Sequence, residues 1–110
     1  MLRKILSVLA AAATLSVVMA VPAQAANAVK CQPWDSNARF RIFLSDGYQI
    51  CVLGHGRVEL DQGNVVMVRT GDNTGAYDYW DSDGYMTTRS FRQYAEHNLN
   101  HVKLHSVYID

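Results

Sequence analysis

Along most of the chain, apolar residues come in short runs that alternate with polar ones, and Gly, Asp, Asn or Ser closes each run. A period of two is the signature of a strand with one face buried, and none of the runs has the length or the 3.6-residue period of a long helix. The pattern predicts strands at 39–44, 48–53, 56–60, 65–69, 76–80, 85–91 and 100–108. In the first, Phe40, Ile42 and Leu44 share a face; in the second, Tyr48, Ile50 and Val52 do. Ser45-Asp46-Gly47 and Asp81-Ser82-Asp83-Gly84 have the residue types of two hairpin turns, with Gly supplying a positive φ. The expectation is an all-β antiparallel sandwich. One segment resists it: in 89–99, Phe91, Tyr94 and Ala95 fall at helical spacing, which leaves either a short helix or an irregular crossover.

The first residues follow a different pattern. Arg3 and Lys4 precede a stretch from 5 through 21 that is apolar except for Ser7, Thr14 and Ser16, and Pro22 leads into Ala23-Gln24-Ala25. A positive n-region, an apolar h-region and a small-x-small site make a secretory signal peptide, here 1–25 with cleavage after Ala25. A retained membrane anchor is the competing reading for an apolar stretch of this length, and Pro22 with the cleavage site argues against it. The remainder, 26–110, is one small domain, expected to be secreted to the extracellular space as a monomer with no membrane association after cleavage.

Charge and cysteine content narrow the classes. The chain carries ten basic and ten acidic residues, and loss of Arg3 and Lys4 would leave eight against ten. The remaining cations are scattered, whereas a nucleic-acid surface needs them clustered and in excess, so no nucleic-acid partner is expected. Cys31 and Cys51 are the two cysteines. In an oxidising compartment they have only each other to pair with, and they lack the C-x-x-C spacing of redox or thiolate-metal chemistry, so a structural staple is expected.

An internal repeat is the most informative feature. Phe40-Arg41-Ile42-Phe43-Leu44-Ser45-Asp46-Gly47 and Tyr77-Asp78-Tyr79-Trp80-Asp81-Ser82-Asp83-Gly84 both read aromatic, six residues, Gly, with a Tyr directly after. The two glycines lie 84 − 47 = 37 positions apart. At these residues the chain resembles the βγ-crystallin superfamily, whose Greek-key motif places an aromatic over a hairpin bent at Gly; Phe40/Gly47 and Tyr77/Gly84 are the matching pairs. Length, leader, cysteine spacing and Gly71-Asp72-Asn73-Thr74-Gly75 look most like the secreted killer-toxin-like members from Streptomyces. The resemblance covers about residues 29–110. It implies a sandwich of two Greek keys. Superfamily members often bind Ca²⁺ through an N/D-N/D-x-x-S/T-S motif. The corresponding stretches, Asp61-Gln62-Gly63-Asn64-Val65-Val66 and His97-Asn98-Leu99-Asn100-His101-Val102, lack its Ser/Thr-Ser pair. Weak or absent calcium binding is therefore expected, and no other cofactor.

Two clusters remain. His97, His101 and His105 are spaced by four, which on a helix would make a metal-ligand set; the surrounding Val102, Leu104, Val107 and Ile109 instead read as a strand with those histidines on a polar face. Asp78, Asp81 and Asp83 gather around Tyr79 and Trp80, either as a hairpin whose carboxylates bond the turn backbone or as an acidic-aromatic contact surface. Nucleophile elbows, zinc-protease helices and phosphate-cradling loops are absent from the sequence, and His55, in Gly54-His55-Gly56, reads as a solvated loop residue. The expectation is a non-enzymatic, killer-toxin-like binder of an extracellular or cell-surface protein or glycan. The alternatives are a metalloprotease inhibitor, as in another secreted branch of the superfamily, and a structural or stress-protective protein.

Overall fold

β-Branched and aromatic side chains fit the pleated, half-buried surface of a sheet, and the runs that carry them form seven strands in the computed structural model, which describes residues 25–110. These are β1 (Asn27–Lys30), β2 (Phe40–Leu44), β3 (Gln49–Leu53), β4 (Gly56–Arg69), β5 (Gly75–Trp80), β6 (Met86–Phe91) and β7 (Glu96–Ile109). The expected signal peptide lies, all but Ala25, outside the described residues. No helix among the described residues is long and apolar enough to cross a membrane.

The two hairpins close alike. In the β2–β3 turn, Leu44 N–H donates to the Tyr48 carbonyl at 3.0 Å and Gly47 N–H to the Leu44 carbonyl at 3.0 Å. In the β5–β6 turn, Asp81 N–H donates to the Tyr85 carbonyl at 2.9 Å and Gly84 N–H to the Asp81 carbonyl at 3.0 Å. Gly47 and Gly84 hold φ of 92° and 85°, a region costly for any side chain with a Cβ.

All strands belong to one antiparallel sheet in the order β1-β3-β2-β4-β7-β5-β6. Neighbouring strands lie about 4.8 Å apart, so β2 and β6, four positions apart, would be separated by nearly 20 Å in a flat sheet. Yet the Phe40 ring on β2 is 5.0 Å from Phe91 on β6 and 6.5 Å from Tyr77 on β5. The sheet therefore curls until its ends face each other, and the two layers of the expected sandwich are the ends of one bonded sheet. The curl falls in β4 and β7, 14 residues each. Their mutual pairing shifts register three times, and Asp61, Asn64 and His101 adopt positive φ, as bulged residues do. Asn64 and His101 are 37 positions apart, the same interval as the two hairpin glycines.

Two expectations change, and one left open is decided in favour of the irregular crossover. The interval 61–64 does not divide two strands, because its polar residues are taken up as bulges within β4. Strand β1 is not among the expected strands because its four residues are recruited by a distant partner: Lys30 pairs with Ile50 and the adjacent Cys31 is bonded to Cys51, with Cα atoms 5.0 Å apart. The segment 89–99 contains no helix; it ends β6, turns through 92–95 and begins β7. Its backbone is held from outside. Thr70 Oγ1 donates to the Arg92 carbonyl and accepts from Ala95 N–H, Thr70 N–H donates to the Ala95 carbonyl, and Tyr94 N–H donates to the Gly71 carbonyl. Those partners replace the i→i−4 bonds a helix would need.

Phe40, Ile42, Val52, Val65, Val68, Tyr77, Phe91, Leu104, Val107 and Ile109 fill the interior. Tyr77 carries the one phenol among them, and its hydroxyl meets His97 Nδ1 at 2.7 Å. Burial pushes the Tyr77 pKa up to about 12, so the phenol stays protonated and donates to a neutral imidazole. Burial and the nearby Arg89 hold His97 below its ordinary value, which favours that neutral form.

Candidate functional site

Alternation along a strand sends successive residues to opposite faces, and residues directly opposite on neighbouring strands share a face. On β5, Tyr77 points inward, so Ala76, Asp78 and Trp80 point outward. Their registers extend this outer face over four strands. One row holds Met86, Trp80 and Lys103. The next holds Thr88, Asp78, Ser106 and Glu59. The third holds Ser90, Ala76, Tyr108 and Arg57.

Asp78 is the centre of the face. Thr88 Oγ1 donates to its Oδ1 at 2.5 Å, Ser106 Oγ donates to its Oδ2 at 3.0 Å, and Arg57 stands 3.7 Å away. The Thr88 hydroxyl first, then Ser106, Arg57 and His105, holds this carboxyl below the usual carboxylate range. Arg57 also approaches Glu59 at 3.8 Å. The aromatic rings bracket this network, with Trp80 40% and Tyr108 48% exposed. They stand on β5 and β7, separated along the strands by four residues, about 13 Å.

The five residues of the expected acidic-aromatic surface divide by role. Asp78 and Trp80 belong to the outer face. Tyr79 lies on the opposite side, packed against the core with its ring 5.8 Å from Tyr77. Asp81 is the fastener of its hairpin, accepting from Asp83 N–H at 2.9 Å, Tyr85 N–H at 3.0 Å and Thr87 Oγ1 at 3.0 Å, and the Tyr85 bond leads in lowering its pKa. Asp83 stays exposed at the tip. Tyr108, Thr88, Ser106 and Arg57 are not among the expected site residues, because only strand register brings these distant positions beside Asp78; the period-two pattern around Tyr108 is the one signal the sequence offers.

The histidines serve separate ends. His97 bonds Tyr77, His105 Nδ1 meets Asp61 Oδ1 at 2.5 Å, and His101 is exposed at its bulge. His55 Nδ1 lies against the Asp110 carbonyl. Among the described residues, three ligand-type side chains converge at Cys31, Asp35 and Cys51, but both sulfurs are spent in the disulfide and Asp35 accepts from Gln32 N–H while pairing with Arg39. Asp61, in one of the two stretches aligned with the calcium motif, is the carboxylate that pairs with His105.

The arrangement of the outer face suits binding. It holds a fixed carboxylate acceptor, several hydroxyls and two stacking rings on rigid strands. Compared with known proteins, the chain matches no family model, no curated protein and no solved structure.

Proposed function

We propose that the chain is a secreted, non-enzymatic binder of a target on the surface of other cells, built as a killer-toxin-like βγ-crystallin domain of two Greek keys. The observation that carries this reading is the outer face of β6, β5, β7 and β4. It leaves Trp80 and Tyr108 half-exposed beside a carboxylate already oriented by Thr88 and Ser106. Trp80, Tyr108, Asp78 and Thr88 lie outside the buried apolar cluster, which closes on the other side of the same strands, and the buried Ser106 serves this face through its bond to Asp78. The Greek-key reading draws support from the matched hairpins at Gly47 and Gly84 and from the two aromatics, Phe40 and Tyr77, that meet edge to face in the core.

The test is direct. Fluorescently labelled protein, produced with its leader and recovered from the medium, is incubated with intact fungal and bacterial cells, and growth is followed in parallel. Saturable retention on at least one cell type, with slowed growth, is expected. Protein that remains wholly in solution with every cell type would overturn the reading, as would recovery of the chain only inside the producing cells.

A further inference from the structure

From the chemistry of the outer face, and resting on the binder reading above, we propose that its ligand is a neutral, extended polysaccharide. Trp80 and Tyr108 would stack on sugar rings, and Asp78 would be the central acceptor of sugar hydroxyls. Three properties point to this class. The first is charge. Arg57 and Lys103 are offset by Asp78 and Glu59 on the same face, so the platform has no net charge with which to select an anionic or cationic ligand, and complements a neutral one.

The second is hydrogen-bonding capacity. An ionised carboxylate offers about four lone-pair sites, and Thr88 and Ser106 occupy two of those on Asp78. The remainder can accept charge-assisted bonds from hydroxyl groups. Arg57, held at 3.7 and 3.8 Å from its carboxylates rather than in close bidentate pairs, keeps N–H donors free, and Thr88, Ser90 and Tyr108 contribute hydroxyls. A ligand dense in groups that both donate and accept matches this set. The third property is shape. Pleated strands make a broad, shallow platform, and rings about 13 Å apart along it suit successive units of a chain better than a single small molecule.

A protein receptor is the competing occupant. The cores of protein interfaces are depleted in Asp, Glu and Ser, the types of Asp78, Glu59 and Ser106 in the middle row of this face, and that favours the polysaccharide.

The exterior also shows why the face is open. Phe43 on β2 occupies the outward position 37 residues before Trp80, and the Arg69 guanidinium covers it at 5.2 Å from the ring centroid. The position 37 residues after Arg69 is Ser106, too short to reach across Trp80.

Purified protein is incubated with insoluble β-1,3-glucan, chitin and cellulose, with immobilised heparin as an anionic control, and with the cells that retain it. Wild type is expected to bind at least one neutral polymer and not heparin. Trp80→Ala and Tyr108→Ala should each weaken that binding about tenfold or more, with partial rescue by Trp80→Tyr, while Tyr48→Ala, at an exposed aromatic in the other half, should leave it unchanged. Near-wild-type melting temperatures for the variants separate lost binding from lost folding. Retention on cells that is abolished by Trp80→Ala without retention on any polymer indicates a protein receptor; that outcome overturns the polysaccharide assignment and leaves the binder reading intact. Retention on cells or polymer that survives both substitutions overturns the face as the site. Polymer binding without cell binding supports the platform and overturns the cell-surface reading alone.

Discussion

The two halves of this domain start from the same local plan and finish with different exteriors. Positions 37 apart occupy equivalent places: Phe40 and Tyr77 in the core, Gly47 and Gly84 in the turns, Asn64 and His101 at the bulges. The partner strands then diverge. In the first half, β3 is covered by β1 and stapled through Cys51, and Arg69 lies over the outward ring of Phe43. In the second half, the position equivalent to Cys51 is Thr88, and among the described residues β6 ends the sheet unpaired on one side and Trp80 has no guanidinium over it. One half is closed by an added strand and a disulfide, and the other keeps Trp80 and Tyr108 on an exposed outer face. The central aromatics Phe40 and Tyr77 keep their place in both halves, whereas the partner strand differs inward as well as outward, Val52 of the core standing where the second half has Arg89.

The strongest way to break the comparison is through the paired core aromatics. Phe40→Ala and Tyr77→Ala should each cost about 3–5 kcal/mol, read as a lower denaturant midpoint. A large loss for one and almost none for the other would show that the halves are not energetically equivalent. Next comes the staple, which belongs to the first half alone. Closing its loop, with a sequence separation of 20, should contribute about 3 kcal/mol. The Cys31→Ser, Cys51→Ser double variant should therefore melt more than about 10 °C lower; an unchanged melting temperature would show that β1 holds without it.

Gly71→Ala probes the turn that connects β4 to β5. Gly71 sits at φ 62°, and a Cβ there would collide with the Ala38 and Arg39 carbonyls. A loss of about 1–3 kcal/mol is expected from the strained backbone, more if the contact with Ala38 is broken. A smaller effect, about 0.5–1 kcal/mol, is expected for Arg69→Ala, which uncovers Phe43. Dye binding by exposed apolar surface should rise in that variant and not in Ser106→Ala.

The subtlest difference is in pH dependence, because the core phenol of the second half carries a titrating partner. His97 is held below its ordinary value of 6.5. As pH falls below 6.5 the unfolded chain takes up the proton first, so stability declines until the folded pKa is passed. Melting temperature should drift down between pH 7 and that point, and His97→Gln should flatten the drift. Asp78 and Asp81, both lowered, add a separate loss only as pH drops below the ordinary carboxylate value of 3.8. A His97→Gln profile identical to wild type would remove the imidazole from the account.

Much of the fold is legible in the sequence because its signals are local. The Asp-Gly turns dictate hairpins wherever they stand, and in the run at 40–44 the buried Phe40 and Ile42 fall on alternate positions that show the apolar face. The site is legible only in part. Asp78 and Trp80 are close in the pattern and do share a face, but Tyr79, between them, turns to the core, and Asp81 is consumed by its own turn. The segment 89–99 is left open between helix and crossover because helical spacing of apolar residues is a statement about neighbours, whereas what makes it a crossover is backbone bonding to Thr70 and Gly71 more than twenty positions away.

By itself the sequence determined the strand class, the two matched hairpins, the pairing of its only two cysteines and the identity of the central aromatics, since each depends on side-chain period, turn chemistry or composition. Tertiary structure alone decided that the strands join one curled sheet, that bulges carry β4 and β7 through the bend, and that Ser106, Thr88, Arg57 and Tyr108 meet around Asp78. Those outcomes depend on register between strands far apart in the chain. A shift of a single residue in that register would turn the whole outer row inward, and no short stretch of sequence carries that information.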